Sequence, residues 1–297
     1  MTWSRAISGG SATSCTSSII EENYTVVKNL GSGGFGQVSE VKEKTGAKKH
    51  FAWKQVSLEK DPYGENEVNL LRDLKHEGIV KIIEAHNADG MVDMVLELCN
   101  QGSMQEYIEQ RFERVPMSYE KLYMAPEFFQ ITSCMTQLLE AIKFLHENCV
   151  AHRDVKPANV LLASGRRWKL ADFGLATKFQ PGVFLKSNVG TRPFQAPEVA
   201  QKCYTEKCDI YSTGILFIAL TIGKAYSRPE DLESEEEKAA AVQLLDEKRW
   251  RNQELGTHAL DFAKSMIRTP ENDRPSAAEA LDNSWFNSTS GPCCVIA

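Results

Sequence analysis

From Tyr24 onward, short apolar runs alternate with turn signals. The runs Tyr24 to Leu30, Val38 to Val41, Phe51 to Val56, Ile79 to Ala85 and Met91 to Leu98 read as strands. Thr45-Gly46 and Asp89-Gly90 supply hairpin turns between them. Between the third and fourth runs, Glu67, Leu70, Leu71 and Leu74 recur at helical intervals, which predicts one helix over Asn66 to Leu74 interrupting a small antiparallel sheet. Past Gly102 the period changes. Phe128 to Glu147, Asp209 to Thr221 and His258 to Met266 read as buried helices. The pattern therefore predicts an α+β architecture: a β-rich lobe over 23–99 with one main helix, a hinge near Glu97 to Gln101, and a larger helical lobe over 100–286. Residues 1–22 are dominated by Ser, Thr and Gly and can bury little, so they read as a disordered arm, and 287–297 as a flexible tail.

Composition narrows the class. A chain of 297 residues with 42% hydrophobic and 25% charged residues can bury a full core. Its net charge of -6 and the lack of a basic stripe argue against a nucleic-acid partner, which would need an excess of Lys and Arg. The eight cysteines form neither a C-x-x-C pair nor a zinc-spaced Cys/His cluster, so they are expected as reduced thiols in a cytoplasmic protein. Ile215 to Ile222 is apolar but too short to span a bilayer.

Four stretches carry chemistry. His152 to Asn159 reads H-R-D-V-K-P-A-N, and Asp172-Phe173-Gly174 follows after V-L-L-A-S-G-R-R-W-K-L-A. Together they present Asp154, Lys156, Asn159 and Asp172: two carboxylates, an ammonium and an amide at the spacing that phosphoryl transfer from Mg-ATP requires. The loop Gly31-Ser32-Gly33-Gly34-Phe35-Gly36 precedes Val38 and is followed by a strand, which favours a hairpin lid over phosphates rather than a dinucleotide turn. Without a Cβ, Gly31, Gly33 and Gly36 let backbone N–H groups approach phosphate oxygens. Lys54, in Phe51-Ala52-Trp53-Lys54, lies on the third strand and would reach the α- and β-phosphates. Its expected partner is Glu67, with Glu65 competing; Glu67 is preferred because Leu70, Leu71 and Leu74 fall behind it on the face that packs on the sheet.

Taken together, these residues resemble the eukaryotic protein kinase family, Ser/Thr group, from about Leu30 to Trp285. The resemblance implies a two-lobed protein-kinase-like fold, ATP and Mg²⁺ as cofactors, and Ser/Thr hydroxyls of protein substrates as acceptors. It implies that Asp154 orients and accepts the proton of the acceptor hydroxyl while Asn159 and Asp172 hold Mg²⁺. Lys156 and Thr191 point to the Ser/Thr group, the threonine placed to bond into the Asp154/Lys156 pair. Leu30, Val38, Ala52 and Leu161 are then the apolar walls of the adenine site, with Leu96 behind and the backbone of Glu97 and Cys99 at the purine edge. Ala196-Pro197-Glu198 closes the activation segment that Asp172 opens, and Arg274 is placed to pair with Glu198. Asp209 resembles the buried aspartate that braces the catalytic loop. Met124-Ala125-Pro126-Glu127 precedes Asp154 and so reads as a helix start. Two rivals stand: a pseudokinase scaffold, which would show a loss among Lys54, Asp154, Asn159 and Asp172, and a small-molecule kinase, disfavoured by the complete segment through Glu198.

Arg153 is a candidate anchor for a phosphate on the activation segment, with Ser187 the best-placed acceptor. Cys294-Val295-Ile296-Ala297 fits a C-a-a-X pattern, so prenylation at Cys294 and palmitoylation at Cys293 are expected to tether the protein peripherally at the cytoplasmic face of a membrane.

Overall fold

The computed structural model describes residues 19–33, 36–61, 63–113, 125–224, 226, 232, 234–243, 245 and 253–287. The expected tail cysteines Cys293 and Cys294 and residues 1–18 lie outside these.

Five antiparallel strands form the first lobe in the order β1-β2-β3-β5-β4: β1 Tyr24–Gly33, β2 Gly36–Glu43, β3 His50–Ser57, β4 Ile82–Ala88 and β5 Met91–Glu97. Side chains alternate across this sheet. Phe51, Trp53, Val41 and Val95 meet on one face, while Met94, Val56 and Val92 meet Val68 on the other. Asp89 and Gly90 both have positive φ, at 54° and 74°, as a two-residue hairpin turn between β4 and β5 requires. Helix α2, Gly64–Asp73, packs against β4 and β5 and buries Glu67, Val68, Leu70 and Leu71.

Two expectations are corrected here. Residues 19–22 are not part of a disordered arm: Ile19–Asn23 form helix α1, and Ile20 is 1% exposed against Tyr24, Val41, Trp53 and Val95. The outer sheet face carries enough apolar surface to hold a short helix that lacks any stability of its own. The fourth strand starts at Ile82 rather than Ile79. Ile79 instead bridges Leu170 of the second lobe, with Val80 N donating to Leu170 O (3.0 Å) and Leu170 N to Gly78 O (2.8 Å). This stretch stitches the two lobes together.

The second lobe is helical. It comprises α3 (Met104–Glu113), α4 (Ala125–Glu147), α5 (Pro197–Ala200), α6 (Lys207–Ile222), α7 (Glu235–Gln243), α8 (Gln253–Met266), α9 (Ala277–Leu281) and α10 (Ser284–Asn287). Asn287, expected in the tail, closes α10. Helix α6 is buried from Cys208 to Thr221 and has no polar face, so it is the axis around which α4, α7 and α8 pack. It ends at Gly223, whose φ of 70° gives the left-handed cap. Two short ribbons lie on this lobe: β6 (Val150–Ala151) with β9 (Thr177–Lys178), and β7 (Val160–Ala163) with β8 (Arg167–Leu170). The loops leaving β6 and β8 carry Asp154 and Asp172.

Candidate active site

The alternation of β3 puts Lys54 on the same sheet face as its neighbours Val38 and Met94. Its Nζ lies 2.8 Å from both Glu67 oxygens and 2.8 Å from Asp172 Oδ1. Glu67 is 1% exposed and also accepts from Phe173 N at 3.2 Å, so it joins α2 to the loop that carries Asp172. A carboxylate this buried is tolerable only with such partners. The competitor Glu65 bonds the exposed Asn87 amide instead. Burial works against the Lys54 ammonium, but the Glu67 and Asp172 carboxylates overcome it and hold its pKa above the ordinary lysine value. Burial likewise pushes Asp172 up, and Lys54 outweighs it, keeping this carboxyl below its usual range and ionised.

The catalytic loop, residues 152–159, is braced from below by Asp209 of α6. Asp209 is fully buried and accepts from His152 N (2.8 Å), Arg153 N (2.7 Å) and His146 Nε2 (3.0 Å). Burial raises its carboxyl, yet His146 and the other bonds bring it below the ordinary value. These bonds hold Arg153 at φ 65°, which a non-glycine residue adopts only when its surroundings enforce it. Asp154 is 6% exposed. Its Oδ2 takes Lys156 Nζ (2.8 Å) and Asn159 Nδ2 (3.1 Å), and its Oδ1 accepts from Thr191 Oγ1 (2.7 Å). Thr191 Oγ1 in turn accepts from Lys156 Nζ at 2.8 Å. Gly190 allows this approach: a Cβ there would lie 2.7 Å from the Arg153 carbonyl oxygen, and its φ is 107°. Phe173 is buried with its ring centroid 4.8 Å from that of His152, and His152 Nε2 lies 3.1 Å from Ala171 O. These contacts join the Asp172 loop to the loop over residues 152–159.

Above these groups lies the hairpin lid. Gly31 pairs with Val38 and Gly33 with Gly36 across the β1–β2 ribbon, while Gly34 and Phe35 lie outside the described residues. A Cβ on Gly36 would sit 1.8 Å from the Gln55 carbonyl oxygen, so only glycine fits between the ribbon and β3. Leu30 is exposed, and Val38, Ala52, Leu96 and Leu161 are half-buried, as side chains lining an open cleft would be. Glu97 spends its side chain on Lys169 Nζ and on Lys81 N, both at 2.7 Å, and its main-chain N–H donates to Lys81 O at 2.9 Å. Cys99 is half-buried; burial, reinforced by Glu97, pushes its thiol up to about 11. It is thus a protonated, weak nucleophile at neutral pH.

The site fits a Mg²⁺-bound nucleotide by its donor chemistry. The Asp172 carboxylate, 44% exposed, and the Asn159 amide are hard oxygen donors. A charged Lys54 stands beside them, and the glycine ribbon leaves room for phosphates.

The expected activation segment spans Asp172 to Glu198. At its end, Arg274 grips Glu198 through both terminal nitrogens, with Nη2 to Oε2 at 2.9 Å. Ser187 is exposed, and its carbonyl accepts from Tyr204 Oη at 2.7 Å. Sequence reading missed Tyr204 and His146: nothing in a single chain distinguishes them from ordinary core and helix residues.

A protein kinase domain family model matches residues 24–286. Similar curated proteins include calcium-dependent protein kinase 4 of Plasmodium falciparum, 29% identical over 280 residues covering 90% of this chain and 50% of that protein. Serine/threonine-protein kinase 33 of Bos taurus is 30% identical, with 90% and 56% covered. Serine/threonine-protein kinase PEPKR2 of Arabidopsis thaliana is 29% identical, with 90% and 54% covered. The chain spans about half the length of these relatives. A family match over nearly the whole chain, joined to the Lys54–Glu67–Asp172 and Asp154–Lys156–Thr191 clusters, leads to one conclusion: this chain belongs to the protein kinase family.

Proposed function

We propose that the protein transfers the γ-phosphoryl group of Mg-ATP to serine or threonine hydroxyls of protein substrates. The observation that carries this reading is Thr191 bonded at once to Asp154 (2.7 Å) and Lys156 (2.8 Å). That contact fixes a carboxylate and an ammonium side by side beneath the cleft. In this role Asp154 receives the acceptor hydroxyl and takes its proton, and Lys156 offsets charge on the transferred group. Asn159 and Asp172 would hold Mg²⁺, which supplies charge neutralisation on the phosphates when bound. Lys54, positioned by Glu67, orients the α- and β-phosphates, and the glycine ribbon at Gly31, Gly33 and Gly36 lets the backbone approach them, the Gly31 N–H itself being bonded to Asn29 Oδ1 at 2.7 Å. Leu30, Val38, Ala52 and Leu161 would enclose the adenine.

The named relatives support a Ser/Thr acceptor, since two carry serine/threonine-protein kinase in their names. A scaffold role without catalysis has less support, because Lys54, Asp154, Asn159 and Asp172 are all present and assembled. The test is a degenerate peptide library incubated with Mg-ATP and either wild type or Asp154→Asn. Wild type should label Ser and Thr, and the variant should lose at least about a hundredfold in rate. No product from wild type would favour the scaffold, and label confined to tyrosine would overturn the acceptor assignment.

A further inference from the structure

Tyr204 lies outside the catalytic constellation yet touches both Arg153 beside Asp154 and the segment over residues 185–187. Its main chain forms a two-bond bridge with Leu185 of the activation segment: Leu185 N to Tyr204 O at 2.7 Å and Tyr204 N to Leu185 O at 3.3 Å. Its ring is fully buried in the helical lobe. Its hydroxyl donates to Ser187 O (2.7 Å) and accepts from Arg153 Nη1 (3.3 Å). The Arg153 Nε also donates to Leu175 O at 2.8 Å, two residues from Phe173. Burial, ahead of the opposing pull of Arg153, holds the phenol above its ordinary value, so it keeps its proton at neutral pH. One side chain thus closes a circuit from catalytic loop to activation segment with no acidic or phosphorylated residue in it.

We propose that Tyr204 is a positioning residue that holds the activation segment in its substrate-accepting shape in the unphosphorylated chain, by coupling Arg153 to the main chain at Ser187. The inference rests on the kinase reading and reverses the expectation that a phosphate on Ser187 must order the segment. Arg153 is the group such a phosphate would seek, and it already has two partners directed at the segment. A hydrogen bond to a charged group is strong enough to set the loop population by a factor of about ten or more.

The discriminating variants are Tyr204→Phe and Ser187→Ala in the full chain, each treated with phosphatase and checked by mass. Tyr204→Phe keeps the buried ring and both main-chain bonds, so its melting temperature should fall by no more than about 6 °C. Hydrogen exchange at residues 185–190 should nevertheless quicken about tenfold, a readout independent of any activity. Its kcat/KM for a Ser/Thr peptide should fall about tenfold with the KM for ATP unchanged, whereas Ser187→Ala should stay within about twofold of wild type. Wild-type exchange in Tyr204→Phe would overturn the proposal. So would loss of activity in Ser187→Ala or in dephosphorylated wild type, provided the phosphorylated protein is active. A chain that shows the exchange change but labels no peptide would keep the latch and refute the kinase reading instead.

Discussion

Replacing Arg274 with alanine should be among the most damaging single changes in the second lobe. Its side chain is 0% exposed, and every contact it makes ties separate segments together. The guanidinium meets both Glu198 oxygens, Nε donates to Arg268 O at 2.7 Å, Nη1 reaches Lys207 O at 3.3 Å, and Cζ lies 4.9 Å from the Tyr211 ring centroid. Truncation would strand the Glu198 carboxylate, 12% exposed, without a counter-charge and leave two carbonyls short of a donor. Removing one partner of a buried pair costs about 3–5 kcal/mol. At about 2–4 °C per kcal/mol for a domain of this size, the melting temperature should fall by roughly 6–20 °C. Arg274→Lys keeps the charge but not the planar fork and should fall between. The paired change Arg274→Met with Glu198→Leu should lose less than Arg274→Ala alone, because no buried charge is abandoned. Scanning calorimetry on all three variants is the measurement. A drop under about 2 °C for Arg274→Ala, or a double variant worse than the single, would refute the idea that an uncompensated buried charge sets the cost.

Gly36→Ala should raise the KM for ATP and lower the melting temperature together, since its Cβ would collide with the Gln55 carbonyl oxygen at 1.8 Å and force β2 from β3; unchanged nucleotide titrations would contradict this. Ile20→Ala should cost about 2–4 kcal/mol, measured by urea unfolding, because it empties the contact that seats α1 on the sheet; no change in midpoint would mean the helix is not docked. Asp209 has a folded pKa below its unfolded one, so its stabilisation is complete above the unfolded value near about 4 and is lost as pH falls through the folded value. Asp209→Asn should therefore lower stability at neutral pH and flatten the acid limb of the stability curve, and an identical limb in the two proteins would exclude this carboxylate as a contributor.

Much of this arrangement was legible in residue order, and the failures have local causes. The apolar run at Ile79 reads as strand because its composition fits one, but its hydrogen bonds go to Leu170 in the other lobe, and periodicity does not reveal a partner. Ile19 and Ile20 are a lone apolar pair at the end of a Ser/Thr-rich arm, and only the sheet face that Ile20 covers gives it value. Glu67 and Glu65 stand two apart on a helix and point in different directions, so choosing between them needed the apolar face behind Glu67, which was visible. Tyr204 offered no such pattern. Its importance comes from a hydroxyl placed between Arg153 and Ser187, a distance relation with no signature along the chain.

The chain by itself determined which groups are available. The order His152 to Asn159, then Asp172 to Gly174, places its carboxylates, amide and ammonium on two adjoining loops, because turn chemistry and short strands act over a few residues. Tertiary structure decided which of them meet. Lys54 reaches Asp172 across 118 positions, and Asp209 reaches back 57 to His152 N. Such contacts exist only once the buried helix α6 and the sheet have desolvated these charges and left one another as their partners.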